Sequence, residues 1–465
     1  MNTTKAASKM TRLLTIALAV LTLASCAKKN NWVTRRYHSL TTRYNVHFNG
    51  KESYKEGINL LYAGGKDDYT KVIPLYPISN HADTSLCLSQ MNRAIEKATK
   101  AEKLHSIRVK PKKKPSKAKD PKYVQFMKKE EYNPQMGKVW LLHGKAQFHK
   151  GDFLGAVGTF TYVTKHFTQE PKRVTEANIW LARCYAEMDW LYDADDILTK
   201  LERAPLTNRQ QSEFASAQAD LALKRNEYKQ AEDLLRAAIG GERYKKQKTR
   251  DYYVLAQLSQ KNKNDLDAKE YYKKAYRHSS NFDMTFNSKV GYAVSDWQNT
   301  EKAVKKLKRM AKNERYAEGL DKIYVAIAEI YMNAEQKDKA IENYKLAIEK
   351  SKLDGSDKVR ALVSLGDLYY NDSEYILAQP LYTEAASLMP AEDDDYLRVS
   401  KRSLILGELA QHYDVVVTQD SVQRLARMSE SERNLAIKAH IKKLQEQEEQ
   451  ARKKAEEEAK LASSQ

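Results

Sequence analysis

Small residues recur along this chain at a spacing typical of paired helices. Seven times a glycine or alanine is followed twelve positions later by an alanine, and successive pairs begin 35 to 38 residues apart. The positions four and seven residues after the second alanine are apolar, aromatic or small, so they share a helical face with it. The pairs are Gly144/Ala156, Ala182/Ala194, Ala219/Ala231, Ala256/Ala268, Gly291/Ala303, Ala328/Ala340 and Gly366/Ala378. The pattern predicts antiparallel helices that cross at the small residues, because only Gly or Ala lets two backbones approach closely.

Self-similarity at this period resembles the tetratricopeptide (TPR) repeat, a helical-hairpin unit of about 34 residues. The clearest copy contains Gly366 and Tyr382, whereas the copy at Gly291 is degenerate because Asn287 replaces a large apolar residue. An ordinary helical bundle is the alternative, and it explains seven registered pairs poorly. We predict an all-α fold: a TPR-repeat superhelical solenoid of about seven repeats over residues 123–390, with an N-terminal helical module and a charged C-terminal helix.

The first 26 residues have the pattern of a bacterial lipoprotein signal. Three basic residues precede a short apolar run over residues 13–23, and Leu23-Ala24-Ser25 stands directly before Cys26. We predict that residues 1–25 are removed and that Cys26 carries a diacylglycerol and an N-acyl chain. No other cofactor is expected. An ordinary secreted protein with a chance cysteine is the alternative.

The residues after this cysteine bear on location. Ala27-Lys28-Lys29 contains no acid, and in lipoproteins an acid at this point favours either inner-membrane retention or export to the cell surface. We therefore expect a lipid-anchored protein on the periplasmic face of the outer membrane.

The N-terminal module, residues 26–107, is predicted to be helical. Aromatic residues recur at near-helical spacing over residues 37–48, and Asn49-Gly50 is expected to end that helix before a second one over residues 51–62. Residues 73–77 are bounded by prolines and predicted to be extended. A further helix is expected over about residues 85–104.

Charge is concentrated in one segment. The chain carries a formal net charge of +19, and residues 108–122, here called the basic segment, hold eight basic residues, one acid and three prolines. This composition predicts a mobile linker between the module and the repeats. Contact with anionic lipid or an acidic partner and a merely solvated linker are equally supported. Nucleic acid is not an expected partner, because an exported lipoprotein meets little of it.

Two motifs outside the repeats carry a resemblance to a known family. The run from Arg35 to Gly50, close behind the lipobox, resembles the opening of PorW/SprE-type TPR lipoproteins. Residues 413–417, 419–426 and 432–433 look like the segment that follows the last repeats in that family. The resemblance implies a periplasmic scaffold of the type IX secretion system, and of gliding where it occurs, joining ring and translocon components. Longer relatives continue into a further C-terminal region, which puts any contact made there in doubt.

The remaining C-terminal sequence is predicted from composition. Residues 391–430 are expected to cap the solenoid, and residues 431–465 to form a charged, solvated helix. From Glu432 to Lys460 there are seven acids and eight bases, without the apolar heptads of a strong coiled coil.

Signals of chemistry are absent from the sequence. The ten histidines form no metal-binding spacing, and neither a phosphate-binding glycine loop nor a serine elbow occurs. Cys87 and Cys184 do not suggest a disulfide framework. We predict that the chain is not an enzyme and has no small-molecule substrate.

Protein partners are expected in the groove of the solenoid, which the first helix of each repeat should line. The equivalent inward positions are Lys145, Arg183, Asp220, Gln257, Tyr292, Glu329 and Asp367. Arg183 and Asp220 are expected to be exposed there, and the ligand to be a folded partner or a helix. The predicted function is a non-enzymatic scaffold that binds components of a secretion machine. A TPR adaptor in outer-membrane protein assembly or in cell-wall binding is the alternative.

Overall fold

A computed structural model describes residues 30–463. The regular secondary structure of these residues is helical. Seven helix pairs, numbered one to seven below, follow one another between residues 136 and 388. They are Met136–Lys150 with Phe153–His166, Pro171–Glu187 with Leu191–Leu201, Asn208–Lys224 with Tyr228–Ala238, Lys245–Lys261 with Asp265–His278, Phe282–Val294 with Thr300–Ala311, Leu320–Asn333 with Lys337–Lys350, and Ser356–Asn371 with Tyr375–Leu388. Each pair contains one of the small-residue pairs, so the predicted all-α TPR solenoid is confirmed.

The small residues of the pattern lie at close contacts between helices, as predicted. All seven second-helix alanines of the pattern are at most 2% exposed. A Cβ atom added to Gly144 would lie 2.7 Å from the ring of Phe160, and one added to Gly291 would lie 2.5 Å from the ring of Tyr272. Aromatic rings therefore fill the space that these glycines leave, and any side chain at the glycine positions would displace them.

The turns within the pairs repeat one backbone conformation. Two residues before the second helix, six pairs place a residue with φ between 58° and 86°, in the left-handed region. These residues are Gly151, Asp189, Asn226, Lys263, Glu335 and Ser373. Pair five differs, because a short 3-10 helix, Trp297–Asn299, joins its two helices. The degeneracy of this repeat in the sequence thus extends to its turn.

The chain divides into two compact units. Of the described residues, 30–310 with Glu329–Glu335 form unit one, and Ala311–Ala328 with residues 336–463 form unit two. Across residues 30–463, no helix is both long enough and apolar enough to span a bilayer.

Unit one begins with a continuous helix, here called the leading helix. It consists of Trp32–Thr41, a π-helical turn over Thr42–Val46, and His47–Gly64. The prediction that Asn49-Gly50 ends a helix is therefore wrong. Gly50 instead allows close packing, since a Cβ atom there would lie 3.2 Å from Cβ of Lys97 on the next helix, Leu88–His105.

In unit two a long helix follows pair seven. This cap helix, Tyr396–Arg427, packs its buried Val399 and Leu406 against Tyr382 and its neighbours in pair seven. Asp367 accepts hydrogen bonds from the Tyr382 hydroxyl and, at 2.7 Å, from Arg398 and Arg402. A last helix, Glu430–Ser463, follows the cap helix.

Candidate functional site: a surface occupied by the chain itself

The inward surface of unit one is covered by a segment of the same chain. Residues 66–79, here called the strap, leave the leading helix and run as non-helical backbone to a short 3-10 turn, Pro77–Ser79. The strap buries Ile73, Leu75 and Ile78 to 1% exposure or less. Ile73 and Leu75 join the apolar core formed by pairs three to five. Residues 73–76 of the predicted extended stretch are non-helical, whereas Pro77 begins the 3-10 turn. The stretch also has a partner that the sequence did not reveal.

Pair four holds the strap by its main chain. The side-chain amide of Gln257 donates to the carbonyl of Lys71 at 2.7 Å and accepts from the backbone N–H of Ile73 at 3.0 Å. One residue type thus satisfies a donor and an acceptor that lie two residues apart on an extended chain. Because neither bond involves a strap side chain, this recognition depends on backbone conformation rather than on side-chain identity.

Two further side chains of the same helix extend this contact. Gln247 donates to the carbonyl of Leu75 at 2.9 Å, and Arg250 Nε donates to the carbonyl of Pro74 at 2.9 Å. Together with Gln257 they bind four backbone groups between Lys71 and Leu75. The N–H of Ile73 and the carbonyl of Leu75 are buried, so losing these bonds would be costly in free energy.

A buried ion pair fixes the start of the strap. Arg250 donates from both terminal nitrogens to the two carboxylate oxygens of Asp67, each at 2.6 Å. Both side chains are almost completely buried. A bidentate geometry of this kind adds directional specificity, and removing either partner would leave an uncompensated charge inside the protein.

Side chains of pairs two and three contact the C-terminal end of the strap. The guanidinium of Arg183 lies 3.8 Å from the ring centre of Tyr76 and 4.0 Å from that of Trp180. Ser79 donates to Glu187 at 2.7 Å, and Lys224 pairs with the same carboxylate at 3.2 Å. Strap residues thus cover the surface on which a partner was expected.

The expected exposure of Arg183 and Asp220 is therefore wrong. Arg183 is 8% exposed and Asp220 is 3% exposed. Burial, with a contribution from the neighbouring Glu187, raises the pKa of Asp220 to about 7. The physical reason is the strap, which excludes water from the inward faces of these helices.

The other predicted groove residues have varied surroundings. In unit one, Lys145 pairs with Glu176 at 2.6 Å and lies over the ring of Trp180, while Tyr292 lies beside the ammonium group of Lys306. Glu329 is half-buried. Asp367 belongs to unit two and links pair seven to the cap helix. Of the seven predicted residues, Arg183 and Gln257 contact the strap directly.

One buried carboxyl near the strap has an altered acidity. Burial raises the pKa of Asp251 to about 8, although a 2.6 Å hydrogen bond from Gln247 favours its ionised form. Asp251 therefore holds a proton near neutral pH, in a position next to the side chains that bind the strap.

In residues 30–463, no cluster of three or more His, Cys, Asp or Glu side chains is arranged to hold a metal ion. Cys87 and Cys184 are buried free thiols. Cys26 lies outside the described residues, and its predicted lipid stays a prediction.

Sequence reasoning missed the strap because its hydrogen bonds with pairs two and four join residues 108 to 186 positions apart. One signal was present. The first helix of pair four carries Gln247, Arg250 and Gln257 at positions where a packed solenoid buries side chains. Buried polar side chains require partners, and three of them on one helix indicate a covering segment.

The chain has low structural similarity to several solved proteins. No protein-family model and no curated protein matches the chain. A tetratricopeptide repeat protein from Parabacteroides merdae matches 58% of this chain and 99% of its own, at 12% identity and a TM-score of 0.41. Pseudomonas aeruginosa pilF matches 57% of this chain and 96% of its own, at 15% identity and a TM-score of 0.33. NprR, solved with its cognate peptide NprX, matches 59% and 87%, at 13% identity and a TM-score of 0.37. These scores are low, so the fold assignment rests on the seven helix pairs.

Proposed function

We propose that this chain is a non-enzymatic lipoprotein scaffold of the outer membrane that supports type IX protein secretion. In this role Cys26 carries the lipid, and the folded part of the chain binds protein components that connect the ring and the translocon. The resemblance of residues 35–50 and 413–426 to PorW/SprE-type lipoproteins supports the proposal. Helix pairs of the TPR type are a common framework for protein recognition, which agrees with it.

The observation that carries the proposal is the placement of those two motifs. Both lie on helices that turn large apolar side chains toward solvent: Tyr44 and Phe48 in the leading helix, and Tyr413 and Val416 in the cap helix. Exposed apolar surface of this kind is typical of interaction sites. Because the strap fills the inward surface of pairs two to four, we place protein partners on the cap helix instead.

The cap-helix surface can be tested without disturbing the core. Tyr413 and Val416 are 51% and 56% exposed, so Tyr413→Ser with Val416→Ser should leave the fold intact. The matched control is Tyr192→Ser with Leu266→Ser, which removes two apolar side chains of unit one that are more exposed still, at 83% and 79%. In-cell crosslinking followed by identification of co-purifying proteins should lose partners in the first variant only.

Deletion of the gene tests the pathway. Cargo proteins that carry type IX signals should accumulate in the periplasm, while the general level of outer-membrane proteins stays normal. Normal secretion of that cargo would rule the proposal out. Loss of β-barrel proteins would favour the role in outer-membrane protein assembly, and co-sedimentation with cell-wall fragments would favour the cell-wall adaptor.

A further inference from the structure

The first part of the leading helix buries small and polar side chains and exposes large apolar ones, which is the reverse of an ordinary amphipathic helix. Over residues 32–53 its buried face, packed toward helix Leu88–His105 and pair one, consists mainly of small and polar residues: Thr34, His38, Thr42, Val46, Gly50 and Ser53. Its solvent face carries the large apolar residues: Val33, Tyr37, Leu40, Tyr44 and Phe48. These five positions follow a helical spacing of three to four residues. Such a face is normally buried, so it points to an apolar environment outside the chain.

Basic residues flank this apolar face. Arg36, Arg43 and Lys51 are exposed on the same helix, and residues 30–51 contain no acid. The first acids, Glu52 and Glu56, follow this stretch. A helix that combines an aromatic and aliphatic face with Arg and Lys at its edges is typical of helices that lie in a membrane interface.

The basic segment folds back against the start of this helix. Asn30 donates from its side chain to the carbonyl of Val109 at 2.6 Å, and the guanidinium of Arg35 lies 5.2 Å from the ring centre of Phe126. Trp32, 71% exposed, lines a cleft of about 790 Å³ together with lysines of the basic segment. Those lysines are Lys110, Lys112, Lys114 and Lys117. Segments 80 residues apart in sequence thus form one continuous surface.

The lysines of this surface have no acidic partners within the described part of the chain. Seven lysines between positions 110 and 122 are exposed, and none of them forms an ion pair there. The single acid of the segment, Asp120, accepts a hydrogen bond from the backbone N–H of Lys122 at 2.9 Å and caps a short helix. The charge of the surface is therefore available to an anionic partner.

We propose that the leading helix and the basic segment form one surface that lies on an anionic membrane leaflet. Clustered lysines attract anionic headgroups, and Trp, Tyr and Phe side chains prefer the boundary between headgroups and acyl chains. Asn30 is four residues from Cys26, so an extended chain keeps it within about 14 Å of the proposed lipid. A lipid anchor and a basic aromatic surface at one end of unit one act as two cooperating membrane signals. The proposal extends the proposed lipidation, and its test does not depend on it.

Vesicle flotation tests the surface without the lipid. The mature chain from position 26, with Cys26→Ser, is mixed with vesicles of phosphatidylcholine alone or of phosphatidylcholine with phosphatidylglycerol. We expect binding to the anionic vesicles, little binding to the neutral ones, and a loss of binding in high salt. Lys112→Glu with Lys114→Glu should weaken binding at least about tenfold. Tyr44→Ser with Phe48→Ser should weaken it as well, because the apolar face is removed.

Matched controls separate this surface from charge and apolarity in general. Lys302→Glu with Lys305→Glu changes the net charge equally at exposed positions of pair five, and Leu266→Ser removes an exposed leucine of pair four. Both controls should bind like the parent chain, and circular dichroism confirms that every variant is folded. Equal binding to neutral and anionic vesicles, or binding to neither, would overturn the proposal. A different result would also overturn it: the parent chain is a dimer, and Tyr44→Ser with Phe48→Ser makes it a monomer but leaves vesicle binding unchanged. The apolar face would then bind a second copy of the chain rather than a membrane.

Discussion

At the scale of single residues, Gln257 shows how one side chain can hold a non-helical segment through hydrogen bonds to its backbone. Its amide both donates to and accepts from the backbone of the strap, so no other residue type of similar size replaces both bonds. Its position on an inward helical face was predictable from the repeat spacing. Its partner was not, because Ile73 lies 184 residues away and pairing over that distance leaves no local pattern.

Replacing this glutamine should loosen the strap. Gln257→Ala removes the bond to the Lys71 carbonyl and the acceptor of the buried N–H of Ile73, so unfolding should become easier by about 1–3 kcal/mol. Hydrogen exchange at the Ile73 amide should accelerate. Gln257→Glu should retain the bond from Ile73 and lose the other. Gln211→Ala, at an exposed position of pair three, is the control; equal exchange in all four proteins would contradict the assigned contacts.

Asp251 predicts a pH dependence of stability. Its pKa of about 8 in the folded protein exceeds the value of about 4 expected in the unfolded chain, so the folded state holds the proton more tightly. The resulting stabilisation is complete below about pH 4 and is lost as the pH rises toward about 8.

Asp251→Asn stays neutral at every pH and should therefore show a smaller loss of unfolding free energy between these limits. Urea titrations across the pH range provide the measurement. The exposed Asp233→Asn is the control. Parallel curves for wild type and Asp251→Asn would show that this carboxyl is not held protonated.

At the scale of elements, two glycines of pair one should change stability in opposite directions when replaced by alanine. A Cβ atom at Gly144 would lie 2.7 Å from Phe160, whereas one at Gly158 would meet nothing within 4 Å. Gly144→Ala should destabilise unit one by about 1–3 kcal/mol through overpacking. Gly158→Ala should stabilise it by about 0.5–1 kcal/mol, because alanine loses less conformational entropy in a helix. Thermal unfolding of both variants measures the two effects, and a shift in the same direction would refute the packing at the crossing.

The helix pairs could be predicted from sequence because their determinants are local. The twelve-residue spacing of small residues places both helices and their crossing within one repeat. The interpretation of Asn49-Gly50 as a helix end was wrong for a related reason, since a glycine that ends a helix and one that permits close packing have the same local sequence signature. What distinguishes them is Lys97, which approaches Gly50 from another helix.

At the scale of the whole molecule, the buried state of Arg183 and Asp220 reverses an expectation. Because both side chains are buried, reversing both charges should destabilise unit one. The cation would leave three aromatic rings, including Tyr76 of the strap, and a carboxylate would take its place. Circular dichroism should record a lower melting temperature for Arg183→Glu with Asp220→Lys. Reversing the exposed charges Lys302 and Glu301 should leave it unchanged; a normal melting curve in both variants would contradict the burial.

The strap also bears on the order in which the chain can fold. Helical repeats normally form one after another as the chain is synthesised, since each needs only its neighbours. The strap is made before any of the helices that bind it, and its last main-chain partner, Gln257, follows 184 residues after Ile73. Until pair four is complete, the backbone groups between Lys71 and Leu75 remain without their native partners. Pairs two to five should therefore fold and unfold together, whereas ordinary solenoid repeats do so independently. The segment that joins them, the strap, is translated before all of them.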